Sequence, residues 1–463
     1  MVTFPTTGRS RHGRGEHGAD TSSTPALLLS ERGRPSRRGR TAPGCRRERS
    51  TTLTTLDPQQ PLDDLEALRE IVGDTRVVAI GEGAHFVEEF SRARQRVLRY
   101  LAERCGFTVF AFEFGFSEAF PLDRWLQGER EDGDLAKVNR AAAEWGASDL
   151  MHWLRRHNRT SGYPLRFAGI DVPEAGGTLR PALEPVADYL REVDPDALRL
   201  VDTALEVSDR FLKGSGSGAA AAPKWAGLEA AEQNELTAVL ARLLLRLRAA
   251  EPLYVSRSSQ RRFDIARRSV EAACHTDYMF QAMNALLSGR GLAADLSVRE
   301  IYMAESVRWH LEHAEPGTRI VLAAHNNHIH KTTLEFDGGL TALTMGQHLQ
   351  RMLGEDYRTV AFVHTADHVP EMYPDQSAAV GFTLAEAHLQ PAEPGSVEAA
   401  LTDAGLADRI TLTDLRDAPR DAQGAPLLNS IRSQSSALST PVPEAFDALL
   451  AVPTVTRDRT VRF

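Results

Sequence analysis

The chain has 463 residues, 42% of them hydrophobic and 25% charged, an ordinary globular composition with length enough for a large core. No apolar run approaches the roughly 20 residues a membrane-spanning helix needs, which excludes an integral helical membrane protein. Cys45, Cys105 and Cys274 are too few and too scattered for a disulfide framework or a thiolate metal site, and they suit a reducing cytoplasm.

In chain order, residues 1–54 come first. They are basic and rich in Arg, Gly, Ser and Pro ("RGRPSRRGRTAPGCRRERS"), with too few large apolar residues to fold, and read as a disordered leader. "PALLLS" is too short for the apolar part of an export signal. The leader leaves the body more acidic than the net charge of -9 suggests. That argues against nucleic acid as a partner and for a neutral or cationic small molecule. Residues 58–75 have the period of an amphipathic helix ending at Gly73, and "RVVAI" (76–80) is a short apolar strand. "EEFSRARQRVLRYLAERCG" is helical up to its stop at Gly106, "FTVFAFE" (107–113) is the next strand, and "SEAFPLDRWLQG" and "DLMHWLRRHNRTSG" are helices. "LRFAGIDV" (165–172) is a third strand. From 181 to 315 the strand signal gives way to Ala/Leu/Arg/Glu-rich helices, with "KGSGSGAAAAPKW" (213–225) read as a flexible link. Strands return at 319–324, 357–364 and 409–415.

Strands alternating with helices predict an α/β fold, a mainly parallel sheet flanked by helices. Its core spans 55–180 and 316–463, with 181–315 inserted as a helical lid or wall over the carboxyl ends of the strands. Those strand ends carry the unusual chemistry. One runs into Glu82 and His85, one into Glu113, one into Asp171, one into His325 and His328, and one into His364. In open parallel sheets ligands bind outside the carboxyl ends of the strands. Glu113 stands out, because a carboxylate among Phe110, Phe112, Phe114 and Phe116 is unfavourable unless paired or protonated. Asp171, two residues before Pro173, suits a turn as well as catalysis, and His330 and His364 read as structural histidines.

Two chemistries use such a set. His325 and His328 with Glu82, His85 and Glu113 have ligand types suited to zinc or another divalent ion, without the HExxH motif. Alternatively, an imidazole takes a proton from water while carboxylates fix its tautomer and other groups hold the oxyanion. A serine hydrolase is disfavoured, because "GSGSG" (214–218) has Gly where the nucleophile elbow needs Ser. No Walker A loop and no GxGxxG after a strand are present, which removes kinase, ATPase and dehydrogenase readings. A haem-binding protein remains a distant third.

"IGEGAHFVEEF", "FTVFAFEFGFSEA", "FAGIDVPEAGG", "YMAESVRWHL", "VLAAHNNHIHKT" and "MGQHLQRMLGEDY" together resemble the signature blocks of the erythromycin esterase family, nearest the type II macrolide esterases. The resemblance runs from about residue 55 to 450. It implies hydrolysis of a macrolactone and so a small-molecule substrate. No cofactor is expected, though the His/Glu cluster could take a divalent metal, and no nucleic-acid or membrane partner is expected from the composition. It also implies catalytic roles for Glu82, His85, Arg94, Glu113, His325 and His328, with His85 the general base. Phe86, Phe114 and Phe116 from the aromatic loops, with Arg299 and Met303 on one helix face, are expected to bind substrate. A metal-dependent or biosynthetic hydrolase of the same family is the alternative.

Overall fold

Val77–Ile80, Ile320–Ala323 and Ala448–Val452 are buried along their whole length, which a strand achieves only when helices cover both faces of its sheet. The computed structural model describes residues 49–129, 133–336 and 340–462. Its centre is an eight-stranded sheet. The strands are β1 (Ser50–Leu53), β2 (Val77–Ile80), β3 (Val109–Gly115), β4 (Arg166–Asp171), β5 (Ile320–Ala323), β6 (Tyr357–His364), β7 (Ile410–Asp414) and β8 (Ala448–Val452). They lie in the order β1-β7-β8-β6-β2-β5-β3-β4. The run from β8 to β4 is parallel, and β7 pairs antiparallel with both β8 and β1. Alternate residues feed opposite faces: Val78 and Ile80 join one apolar cluster, Val77 and Ala79 the other.

The helices used below are α1 (Glu88–Cys105), ended by left-handed Gly106, then α2 (Ala119–Leu126) and α3 (Ser148–Thr160). Between β4 and β5 come α4 (Arg180–Val193), α5 (Leu198–Leu212), α6 (Gly218–Ala226), α7 (Ala230–Arg257), α8 (Gln260–Leu287) and α9 (Val298–Glu312). Most of these helices share an apolar cluster of their own, from Leu179 to Met283. Phe116, Val172, Ala182, Ala272, Tyr302 and Trp309 form a smaller cluster that joins them to the sheet. After β5, α10 (Met345–Leu353) leads to β6, and a separate hairpin pairs His368–Pro374 with Phe382–His388.

Several expectations need correction. Residues 1–48 of the basic leader lie outside the described residues, but Ser50–Leu53 is an edge strand that pairs with β7, so the sheet begins inside the stretch read as leader. The helix expected over 58–75 shrinks to a 3-10 turn at Asp63–Leu65 and a helix at Ala67–Val72, because Pro58 and Pro61 deny the backbone donors an earlier start needs. The "flexible link" is helical from Gly218, capped by Ser217, whose side chain accepts from Ala220 N (3.3 Å); its alanines favour helix once that start exists. β8, buried between β6 and β7, carries no alternation that sets it apart from a buried helix turn.

Candidate active site

The loop that follows β2 is pinned from three sides. Gly81 has no room for a side chain, since a Cβ there would stand 1.9 Å from Asn326 Oδ1. Asn326 donates its backbone N to Glu82 O (2.8 Å) and its Nδ2 to Phe362 O (2.9 Å), tying the loop to the turn after β5 and to β6. Buried Gln434 accepts from His85 N at 2.6 Å and donates its own N to Gly83 O at 2.7 Å. Phe86, directly after His85, has a φ of 64°, a left-handed conformation that a bulky side chain adopts only when its surroundings impose it.

Glu82 connects two catalytic candidates. Its Oε1 accepts from His85 Nδ1 (2.7 Å) and its Oε2 from Arg94 Nη2 (2.5 Å). Burial works against its charge, but the Arg94 guanidinium and the His85 hydrogen bond outweigh it and hold the carboxyl at about 2. An ionised acceptor at Nδ1 puts the neutral ring's proton there and leaves the lone pair on Nε2, the arrangement of a general base. Arg94, 5% exposed, also lies with its guanidinium carbon 5.4 Å from the centroid of Phe112.

Glu113 stands in a bulge of β3, where the register against β4 slips between Phe112 and Gly115; bulges re-aim a side chain in this way. Its Oε2 accepts from His325 N (2.9 Å), and its Oε1 lies 3.0 Å from Arg299 Nη2 and 3.1 Å from His328 Nε2. Burial would raise its pKa, but the charges of His328 and Arg299 push it well below the usual carboxylate range. The His325 ring lies 4.7 Å from that of His85. Its Nδ1 accepts from Asn327 N (3.2 Å), so its proton is on Nε2, which has no hydrogen-bond partner among the described residues. Burial and the neighbouring His85 keep it neutral, well below the usual histidine range.

A cavity of about 1450 Å³, counting its open mouth, lies over this edge of the sheet. Its chemical floor is Glu82, His85, Arg94, Glu113, Asp171 and Arg299. Its walls are Phe86, Phe114, Trp145, Met372 and Phe382, and the Gly216–Ala219 stretch, Met279 and Met283 come from the helices between β4 and β5. Among the described residues no group of three His, Cys, Asp or Glu side chains is set to share a metal ion.

The family model of erythromycin esterase matches residues 102–455. The chain is 34% identical to the type II erythromycin esterase of Escherichia coli over 396 residues, 85% of this chain and 93% of that protein. It is 33% identical to the type I enzyme of Escherichia coli over 417 residues, 89% of this chain and 98% of that protein. The chain belongs to the erythromycin esterase family. A solved structure of a mutant of the erythromycin esterase EreC, in its open conformation, superposes with a TM-score of 0.81 at 32% identity, covering 89% of this chain and 99% of that one. The chain is thus a hydrolase of carboxylic esters, with the mixed α/β fold of that family.

Within this family fold the residues picked out by sequence separate into three positions. Glu82, His85, Arg94 and Glu113 line the cavity together with Phe86, Phe114 and Arg299. His325 and His328 lie behind them, packed on His85 and Glu113. Phe116 and Met303 belong to the packed interior: Phe116 meets Phe120 and Trp309 edge-on, and Met303 is fully buried against the sheet, so neither reaches the cavity wall. Arg299 faces the cavity, yet its guanidinium is spent on carboxylates. Besides Glu113 it donates to both oxygens of Asp171, at 2.9 and 2.5 Å. The structural reading of His330 fits its place between Thr332 and Thr440, with contacts of 2.8 Å on each ring nitrogen. His364 is buried beside Phe90 and bonds to no described residue through either ring nitrogen.

Sequence reasoning passed over Glu118, Glu174 and Asp458, which add three carboxylates to the cavity lining, and Glu300, which meets His328 Nδ1 at 2.7 Å. Glu118 is buried and accepts from Glu174 N (3.0 Å); burial pushes its carboxyl up to about 8. It lies in the quoted block "FTVFAFEFGFSEA", but the phenylalanines drew the reading to Glu113.

Proposed function

We propose that the chain opens the lactone ring of macrolide antibiotics with a water molecule activated by His85, and so inactivates them. His85 Nε2 takes a proton from water, and the resulting hydroxide attacks the lactone carbonyl. The oxyanion forms beside the cavity-facing cation Arg94. The tetrahedral intermediate then collapses, the ring C–O bond breaks, and the imidazolium of His85 returns its proton to the departing alkoxide. One water enters, and a carboxylic acid and an alcohol result, with no acyl-enzyme. The observation that carries this reading is the single carboxylate of Glu82 holding both His85 Nδ1 and Arg94. His325, whose Nε2–H is unpaired and whose ring abuts His85, is the auxiliary donor.

Three features support a macrolide as substrate. The cavity is roomy, its walls are aromatic and methionine-rich, and its floor holds the carboxylates of Glu82, Glu113 and Asp171 against the guanidinium groups of Arg94 and Arg299. An apolar ring carrying a cationic amino sugar suits such a surface. A cytoplasmic site of action suits the free thiols of Cys105 and Cys274, and no helix among the described residues is long and apolar enough to cross a membrane. Purified protein incubated with erythromycin, with and without EDTA, is the test. Wild type should add the mass of one water whether or not EDTA is present, and His85→Ala should add none. Loss of activity with EDTA would move the histidines to metal chemistry, and an inactive but folded wild type would sink the macrolide reading.

A further inference from the structure

Arg299 and Glu300 are consecutive on the first turn of α9, the helix that returns the chain from the inserted helices to β5. Arg299 grips Asp171 and Glu113. Glu300 reaches elsewhere: its Oε1 is 2.7 Å from His328 Nδ1, and its Oε2 accepts from Met345 N (2.9 Å), the first residue of α10. The other ring nitrogen of His328 is 3.1 Å from Glu113 Oε1. His328 therefore lies between two carboxylate oxygens, neither of which donates when ionised. Nδ1 meets Glu300 at hydrogen-bond distance, whereas Nε2 makes an ion-pair contact with Glu113 without hydrogen-bond alignment. A buried ring with a carboxylate charge beside each nitrogen, 7% exposed and so little screened by water, is favoured as the imidazolium.

The turn that carries His328, Asn326–Ile329, is capped by His325 through Nδ1, and His325 N donates to Glu113 Oε2. The contacts thus run without a break from Glu300 through His328 and Glu113 to His325, whose ring lies against His85. Glu300 lines no part of the cavity, so whatever it does to the reaction it does through its neighbours.

We propose that Glu300 is a positioning residue that keeps His328 doubly protonated, so that His328 serves as a fixed cation holding Glu113 and not as a proton donor to the leaving group. Burial alone would lower the pKa of His328, but the carboxylates of Glu113 and Glu300 outweigh it and hold the ring at about 9. A group so held does not give up a proton near neutrality, which leaves His85 as the group that exchanges protons. Its placement at the start of α9 also makes the packing of the inserted helices a condition for the charge pattern at Glu113. The inference rests on the reading of His85 as general base, but its protonation claim is measurable without any substrate.

The test uses the full chain labelled with nitrogen-15 at histidine, with His328→Gln to assign the signal. In wild type both ring nitrogens of His328 should show imidazolium shifts at neutral pH and above it, whereas Glu300→Gln should make the ring neutral at neutral pH. In the same variant kcat should fall roughly 10- to 100-fold, with KM changed by no more than about twofold, and Glu300→Asp should restore part of the loss. A neutral His328 in wild type overturns the proposal, and so does a folded Glu300→Gln with unchanged kcat. If Glu300→Gln does not fold, the wild-type titration and the kcat of Glu300→Asp against wild type still decide it. Absence of macrolide hydrolysis would defeat the functional reading while the nitrogen shifts still report on Glu300.

Discussion

A glycine and a glutamate carry the heaviest constraints at single positions. Gly81 sits where Asn326 must pass, and Asn326 is itself buried and bonded to Phe362 O, so it has little freedom to withdraw. Gly81→Ala should lose about 1–3 kcal/mol of stability through overpacking, visible as a lower Tm, and should lower kcat by shifting the Glu82–His85 loop. Glu82→Gln is nearly isosteric, yet it removes the charge that holds Arg94 and sets the His85 tautomer. It should cut kcat by about 10²–10⁴-fold with KM little changed, and a variant with near wild-type kcat would defeat the role given to this carboxylate. Glu82 and His85 were legible in sequence because both stand within five residues of an apolar strand's end. Glu300 was not, because helical spacing says nothing about which side chain reaches a strand end twenty-eight residues further on.

At the scale of elements, the roof of the cavity is a seam between the inserted helices and the hairpin beyond β6. Gly216 N donates to Ala379 O (2.7 Å) and Ser217 Oγ to Val380 O (2.6 Å). Gly381 has a φ of 79°, and a Cβ on it would stand 2.7 Å from Ala220 N. Gly381→Ala meets both obstacles at once, a left-handed backbone and a backbone neighbour that cannot rotate away. It should part this seam, raising KM for a bulky macrolide more than it lowers kcat; equal KM for wild type and variant would show that the seam does not shape the cavity. The stretch "KGSGSG" has the composition of a linker, and its small residues serve instead for close backbone approach, a distinction composition does not draw.

For the whole molecule, pH acts through histidines buried in the neutral form. His310 donates to Gly169 O (2.8 Å), His330 lies between threonines and His364 among apolar neighbours; burial lowers each to about 4 from an ordinary value of 6.5. Between those two values the unfolded chain binds protons that the folded chain refuses, so stability falls as the pH is lowered through this window. Each such group adds up to about 1.4 kcal/mol per pH unit to the slope, and the raised carboxyl of Glu118, which binds its proton more tightly in the folded chain, offsets part of it. Urea unfolding across this range should show the midpoint dropping from just below pH 6.5, and a flat midpoint down to pH 4 would contradict the buried neutral state. Glu82 acts in the same direction but lower down: its depressed carboxyl adds stability that is lost only as the pH falls from about 4.5 toward 2.

The amino-acid sequence by itself determined the α/β class, the apolar strands at 76–80, 107–113, 165–172, 319–324 and 357–364, and the delivery of Glu82, His85, Glu113, His325 and His328 to one edge of the sheet. These are local matters, set by the period of apolar residues and by the parallel crossover rule, which places every strand end on the same side. Only the tertiary structure decided what each group does there. It put β7, antiparallel to both its neighbours, and β1 at the far edge, and it drew Asp171 and Arg299 together from positions 128 residues apart. It also turned Phe116 and Met303 inward and set His328 between Glu113 and Glu300. The charge on a buried imidazole depends on which carboxylates surround it, and those arrive from distant segments that no local pattern brings together.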